Sequence, residues 1–150
     1  MTKSATRHDQ DKSDYTHIAP VIWAAQFNNM ATGSSLEKIK CMSDLMDNWY
    51  YRGATGLSVF PYLIKQATPV LEFGAVKYAS LNYLKGMAAS RVMKSFRRHC
   101  MEIFINGIDA LDEESGLPHT GHMACNYIFA ATYMEMKPEG FIDDRVNIAE

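Results

Sequence analysis

At 150 residues, with 47% apolar and 11% aromatic side chains, the chain is long enough for one domain with a real core and too short for two. A net charge of -2 argues against general coating of DNA, which needs a strong excess of Lys and Arg to displace counterions. No apolar run reaches the roughly 18 residues that cross a bilayer, and the N-terminus has no secretory apolar region. Cys41, Cys100 and Cys125 form no CxxC pair, so buried thiols of a reducing cytoplasm are expected rather than a disulfide framework or a thiolate zinc site.

Residues 1–16 are polar, with Lys3, Arg7 and Lys12 set against Asp9, Asp11 and Asp14, and read as a flexible leader. Residues 17–56 read as an N-terminal helical segment. Ile18, Val21, Ile22 and Ala25 suit a helix, provided that Pro20 lies in its first turn. Ser34 followed by Glu37 makes a capping box, and Leu36, Ile39, Met42, Met46 and Trp49 then recur at helical spacing until Gly53 and Gly56. A further helix opens at Pro61 and runs towards Tyr78. Pro69 inside it removes a backbone donor at a cost of about 3 kcal/mol, so a kink or break is expected, with Thr68 as a new cap. The next helix starts at Ser90, buries Val92, Phe96, Cys100 and Ile103, and ends near Gly107. The last has Pro118 in its first turn, stops at Pro138, and carries an apolar stripe of Met123, Tyr127, Ala130 and Met134. Strand-like alternation is absent. The expected fold is an all-α bundle of four to five helices in one domain, with residues 57–140 as its core and 141–150 as a tail.

Charge is sorted along the chain. From Phe73 to Met101 there is no acidic residue, yet Lys77, Lys85, Arg91, Lys94, Arg97 and Arg98 all fall there. From His99 to Met136 there is no Lys or Arg, while Glu102, Asp109, Asp112, Glu113 and Glu114 supply carboxylates. A polyphosphate ligand asks for both kinds of group: cations for its oxygens and carboxylates for the Mg²⁺ that accompanies them. Two such segments could fold back as the walls of one cavity. The alternative is that they pair across solvated faces without a ligand. His119 and His122, three residues apart behind Pro118, share a helix face near its free backbone N–H groups, where an anion is favoured. Asn126 extends that polar stripe into an apolar helix, and His99 lies beside Arg98. Packed, hydrogen-bonded core histidines are the competing reading. There is no GxGxxG, Walker loop, zinc-deaminase signature or GxSxG elbow. The tryptophans and tyrosines read as core, with one of them able to stack on a purine.

The segments Leu71-Glu-Phe-Gly-Ala-Val-Lys-Tyr78, Asn82-Tyr-Leu-Lys-Gly86, Ser90-Arg91, Arg98-His99 and Asp112-Glu-Glu-Ser-Gly-Leu-Pro-His119, with His122 and Asn126, resemble a phage family of dATP/dGTP diphosphohydrolases. Members of that family are related to the MazG-like all-α NTP pyrophosphohydrolases. The resemblance spans roughly residues 57–136. It implies a helical enzyme dependent on Mg²⁺ (or Mn²⁺) that cleaves a purine deoxynucleoside triphosphate to monophosphate and pyrophosphate in the host cytoplasm. It also implies a homo-oligomer, dimer or tetramer; from the net charge and the lack of a long apolar run, no direct binding of nucleic acid or membrane is expected. On the matching positions, Asp112 and Glu114 would hold the metal, with Glu72 or Asp109 as further candidates. Lys77, Asn82, Lys85, Arg91, Arg98 and Asn126 would bind the nucleotide. His99, His119 and His122 would orient water or stabilise the leaving pyrophosphate. The EExxE helix and partner ExxD of MazG-like enzymes do not occur here, which favours a second reading: a protein that captures and sequesters a nucleotide without turning it over. A third is a protein-interaction adaptor whose charged faces are contacts.

Overall fold

A computed structural model describes residues 12–28, 30 and 33–146, and its regular structure is helical. Among the described residues there are five α-helices: α1 (Pro20–Asn28), α2 (Ser34–Arg52), α3 (Pro61–Lys77), α4 (Ala89–Asn106) and α5 (His119–Met136). Short 3-10 turns lie at Tyr15–His17 and Asn82–Lys85, and the β pairing consists of isolated bridges at Ala88–Ile142 and Leu111–Pro118. The expected all-α bundle is therefore what these residues form. No described helix is long and apolar enough to cross a membrane.

Helix α5 is the centre of the bundle because its sequence is apolar or small on almost every side. Eleven of its 18 residues are buried, and it packs mainly against α3 and α4. Gly121 makes the closest of these approaches possible. A Cβ there would lie 2.7 Å from the Gln66 carbonyl oxygen and 3.1 Å from Val70 Cγ2, so any side chain would push α5 away from α3. Helix α4 buries Val92, Phe96, Cys100 and Ile103, as its spacing predicts, and ends at Gly107, whose positive φ (101°) favours glycine. Helix α2 contributes the predicted stripe from Leu36 to Trp49 to the same core.

Three expectations change. Helix α3 is assigned without a break through Pro69. Lys65, whose carbonyl loses its donor, and Pro69 are both exposed residues, and the Thr68 hydroxyl donates back to the Ile64 carbonyl (2.7 Å) instead of capping a new helix. In α1, Pro20 takes the first position, but Val21 and Ile22 are 70% and 50% exposed while Trp23 and Phe27, four residues apart, are buried against Phe104. Bulk and aromatic contact choose the buried face of this short helix. The N-cap of α2 is Gly33, with Ser34 already helical, and the Ser34 side chain on which the capping box depends lies outside the described residues.

Both ends of the described chain are tied down. Residues 1–11 of the expected leader lie outside the described residues, but Tyr51 donates to the Thr16 carbonyl (2.6 Å) and Lys94 pairs with Asp14 (3.7 Å). At the other end Ala89 donates to the Ile142 carbonyl (2.9 Å), and Asp144 accepts from the Ser90 backbone N–H (2.8 Å), satisfying the start of α4 from across the fold. Arg145 donates to the carbonyls of Trp49 and Ala54 at the end of α2. Gly86 (φ 92°) admits this crossing, because a Cβ there would meet the Phe141 nitrogen at 2.3 Å.

Candidate functional site

One face of α5 carries His119, His122, Cys125, Asn126 and Phe129, spaced by three and four residues, and all five line a cavity of about 720 Å³. Its other walls are the end of α3, the 78–83 connection, the 95–102 face of α4 and the 112–114 turn. The volume is of the size that small-molecule sites occupy.

The turn before α5 is built by its own sequence. Asp112 donates its backbone N–H to the Leu117 carbonyl (2.7 Å) and accepts from the Gly116 N–H (2.8 Å), while Gly116 takes φ 70°. The Asp112 carboxylate Oδ2 accepts from the Ser115 backbone N–H (2.9 Å) and hydroxyl (3.0 Å). The Ser115 hydroxyl also contacts His122 Nε2 at 2.7 Å, and that nitrogen lies 3.6 Å from Asp112 Oδ2. Burial pushes the Asp112 carboxyl up, but the Ser115 hydrogen bonds and the positive potential of His122 and His119 outweigh it and hold it below its ordinary value.

The three histidines meet at this turn. His99 from α4 and His119 from α5 face each other with Nδ1 atoms 2.7 Å apart, a contact that needs a proton on one Nδ1 and a free lone pair on the other. His122 stacks on His99 with centroids 4.5 Å apart and planes at 11°. His119 is 5% exposed, and its Nε2 lies 3.9 Å from Glu102 Oε1. One ligand atom each from His99, Asp112 and His119 fall within 4.8 Å of one another.

The remaining sequence candidates divide. Lys77, Asn82, Arg98, Asn126 and Glu114 line the cavity with the cluster. Lys77 is paired with Glu114 in an exposed ion pair, so a cation from the basic run and a carboxylate from the acidic run do meet at this opening. Asn126 is buried and donates to the Ser95 hydroxyl and the His122 carbonyl, both at 3.0 Å, which joins α4 to α5 behind the histidines. Lys85 and Arg91 are not among the lining residues, nor are Glu72 and Asp109, both exposed. Arg97 turns away altogether: it is fully buried against Asp47 and Ser43 of α2, with its guanidinium 4.6 Å from the Trp23 ring centre. Its position four residues after Met93 and three before Cys100 places it on the core face of α4, a signal that the charge pattern obscured. Sequence reasoning also missed Ser115, although Asp112 three residues before it has the spacing of an Asx turn, and Lys12, which lines the cavity from the polar leader.

The magnesium that the family resemblance implies does not fit the converging donors. Mg²⁺ takes near-octahedral oxygen sets, whereas the cluster offers two imidazole nitrogens and one carboxylate, and no trio of carboxylates converges in this way among the described residues.

No curated protein and no solved structure matches this chain. A family model described as dATP/dGTP diphosphohydrolase, N-terminal, does match, over residues 54–145, which takes in more than half of the chain and the whole cavity except Lys12, Ser13 and Tyr15. The chain therefore belongs to the dATP/dGTP diphosphohydrolase family through that N-terminal domain.

Proposed function

We propose that the cavity binds a purine deoxynucleoside triphosphate and cleaves it to monophosphate and pyrophosphate. The observation that carries this reading is the polarity gradient along one face of α5. His119 and His122 stand in its first turns beside Asp112, and Phe129, stacked on Tyr83 with centroids 4.7 Å apart, lies seven residues further on. At 1.5 Å per residue that is a separation of about 10 Å between a charged end and an aromatic end. A nucleotide has the same polarity. Its base belongs against Tyr83 and Phe129, and its phosphates belong at the α5 N-terminus with Lys77, Arg98 and Lys12. Asn82 also lines the cavity.

In this reading the cations balance charge as it develops on the leaving pyrophosphate, and the exposed Lys77–Glu114 pair opens to release Lys77 to the phosphates. The shared proton between His99 and His119 makes one imidazole nitrogen of the pair a base and the other an acid. The ring that donates its Nδ1 proton keeps the lone pair of its Nε2, and that nitrogen accepts a proton from the attacking water. His122, held by Ser115 and Asp112, keeps the stacked His99 ring in place. Magnesium enters as part of the substrate, whose phosphates carry the hydrated ion. A homo-oligomer is proposed from the family resemblance.

The test is pyrophosphate release from dATP and dGTP with Mg²⁺, against dCTP, dTTP and ATP. Release from the two purine deoxynucleotides above the others is expected. Tight binding of dGTP with the nucleotide recovered intact would replace the enzyme reading with sequestration, which the lack of converging carboxylates among the described residues favours.

A further inference from the structure

We infer that His99, Asp112 and His119 form a binding site for a late first-row divalent transition metal, of the Co²⁺, Ni²⁺ or Zn²⁺ class, in preference to Mg²⁺. The inference rests on the nucleotide reading for where the ion would act, at the phosphate end of the cavity, and an ion there would take the place of the proton shared by His99 and His119, with metal-bound water in place of the imidazole base.

Four observations bear on it. The donor set is two imidazoles and one carboxylate, with a ligand atom of each within 4.8 Å of the others. Imidazole nitrogen suits the later first-row ions, and three protein ligands leave positions open for water or a phosphate oxygen. The two Nδ1 atoms face each other 2.7 Å apart across one proton, which a divalent cation would displace. The groups behind the donors are also those that orient metal ligands. Glu102 stands 3.9 Å from His119 Nε2, the ring nitrogen that does not face His99. The Ser115 N–H, the Ser115 hydroxyl and His122 all gather on Asp112 Oδ2, fixing the carboxylate in one orientation. Finally, the cluster opens onto the cavity that takes the phosphates rather than being sealed in the core. His119, 5% exposed, is placed at that boundary by the α5 N-terminus.

The experiment needs no nucleotide. The full chain carrying Cys41→Ser, which removes the exposed thiol, is titrated with Co²⁺ in excess Mg²⁺ and followed by visible absorbance and equilibrium dialysis. One equivalent of Co²⁺ is expected, displaced by Zn²⁺ and unaffected by Mg²⁺. His99→Gln, His119→Gln and Asp112→Asn should each weaken binding by about 100-fold or more, while Glu135→Gln at an exposed site leaves it unchanged. Thermal unfolding of each variant shows whether it is folded, and the isosteric Asp112→Asn carries the test if a histidine variant is not. Absence of stoichiometric binding, displacement by Mg²⁺, or equal binding by the folded variants overturns the inference. The two readings separate cleanly. Pyrophosphate release in Mg²⁺ by a protein that takes up no Co²⁺ removes the metal site and keeps the hydrolase. Stoichiometric Co²⁺ on a protein that cleaves no nucleotide keeps the metal site and removes the hydrolase.

Discussion

Helix α4 contributes charge to two buried polar groups that lie on opposite sides of it and have different fates. On one side Arg97 reaches Asp47 and Ser43 of α2, with Trp23 stacked over the guanidinium and no opening to the cavity. On the other side His99 meets His119, His122 and Asp112 along the cavity wall. The first group is closed: each charge has its partner within the protein, so its role is to hold α2 against α4. The second is open on one side and contains groups whose protons can be exchanged. Both are polar clusters in a small core, and only the second has room for a ligand.

The comparison can be broken most strongly at Asp47. Replacing it with Ala leaves the fully buried Arg97 charge without its carboxylate, and removal of one partner of a buried pair costs about 3–5 kcal/mol. For a chain of this size the melting temperature should fall by about 10 °C, as calorimetry would record. A loss below about 1 kcal/mol would mean that the pair is not the clamp between α2 and α4.

The cluster in the cavity should respond in the opposite manner. His119→Gln should lower single-turnover cleavage of dGTP by about 100-fold or more, within the range of proton-transfer catalysis, while costing no more than about 2 kcal/mol of stability. Lys77→Ala should raise KM by about tenfold, since a charged hydrogen bond to phosphate is lost, and change stability by less than about 1 kcal/mol because its pair with Glu114 is exposed.

The remaining expected effects are in the pH dependence, where the two groups have opposite signs. Burial pushes the Asp47 carboxyl from 3.8 up to about 6, against the pull of Arg97. Between about pH 4 and 6 the folded chain therefore keeps a proton that the unfolded chain releases, and stability declines as pH rises through that window. Asp112 is held below 3.8, so its contribution is present above that value and is lost as pH falls through its folded value. Denaturant titrations from pH 3 to 7 on Asp47→Asn and Asp112→Asn should remove these slopes separately.

Much of this was legible from residue order because helices advertise themselves locally. The limits of α4 and α5 followed from Gly107 and Pro118, and the resemblance through Glu114-Ser-Gly-Leu-Pro-His119 marked the turn on which the cluster is built. What was not legible depended on pairs distant in sequence. Arg97 counted as one more base of a phosphate-facing run until Asp47, 50 residues earlier, placed it in the core. Lys85 and Arg91 belonged to the same run, yet the 3-10 turn and the start of α4 set them off the cavity. A charge run records which residues are cationic but not which way each turns on its helix. Pro69 misled for a related reason, since its cost depends on whether the orphaned carbonyl is exposed.

The central claim is that the open cluster acts on a nucleotide while the closed one serves the fold. It is tested most directly by measuring pyrophosphate formed from dGTP in a single turnover by the unaltered chain, His119→Gln and Asp47→Asn, each at a temperature where it is fully folded. The account predicts cleavage by the unaltered chain and by Asp47→Asn at comparable rates, and a rate at least about 100-fold lower for His119→Gln. Equal rates for the unaltered chain and His119→Gln, or no pyrophosphate from any of the three, would contradict it.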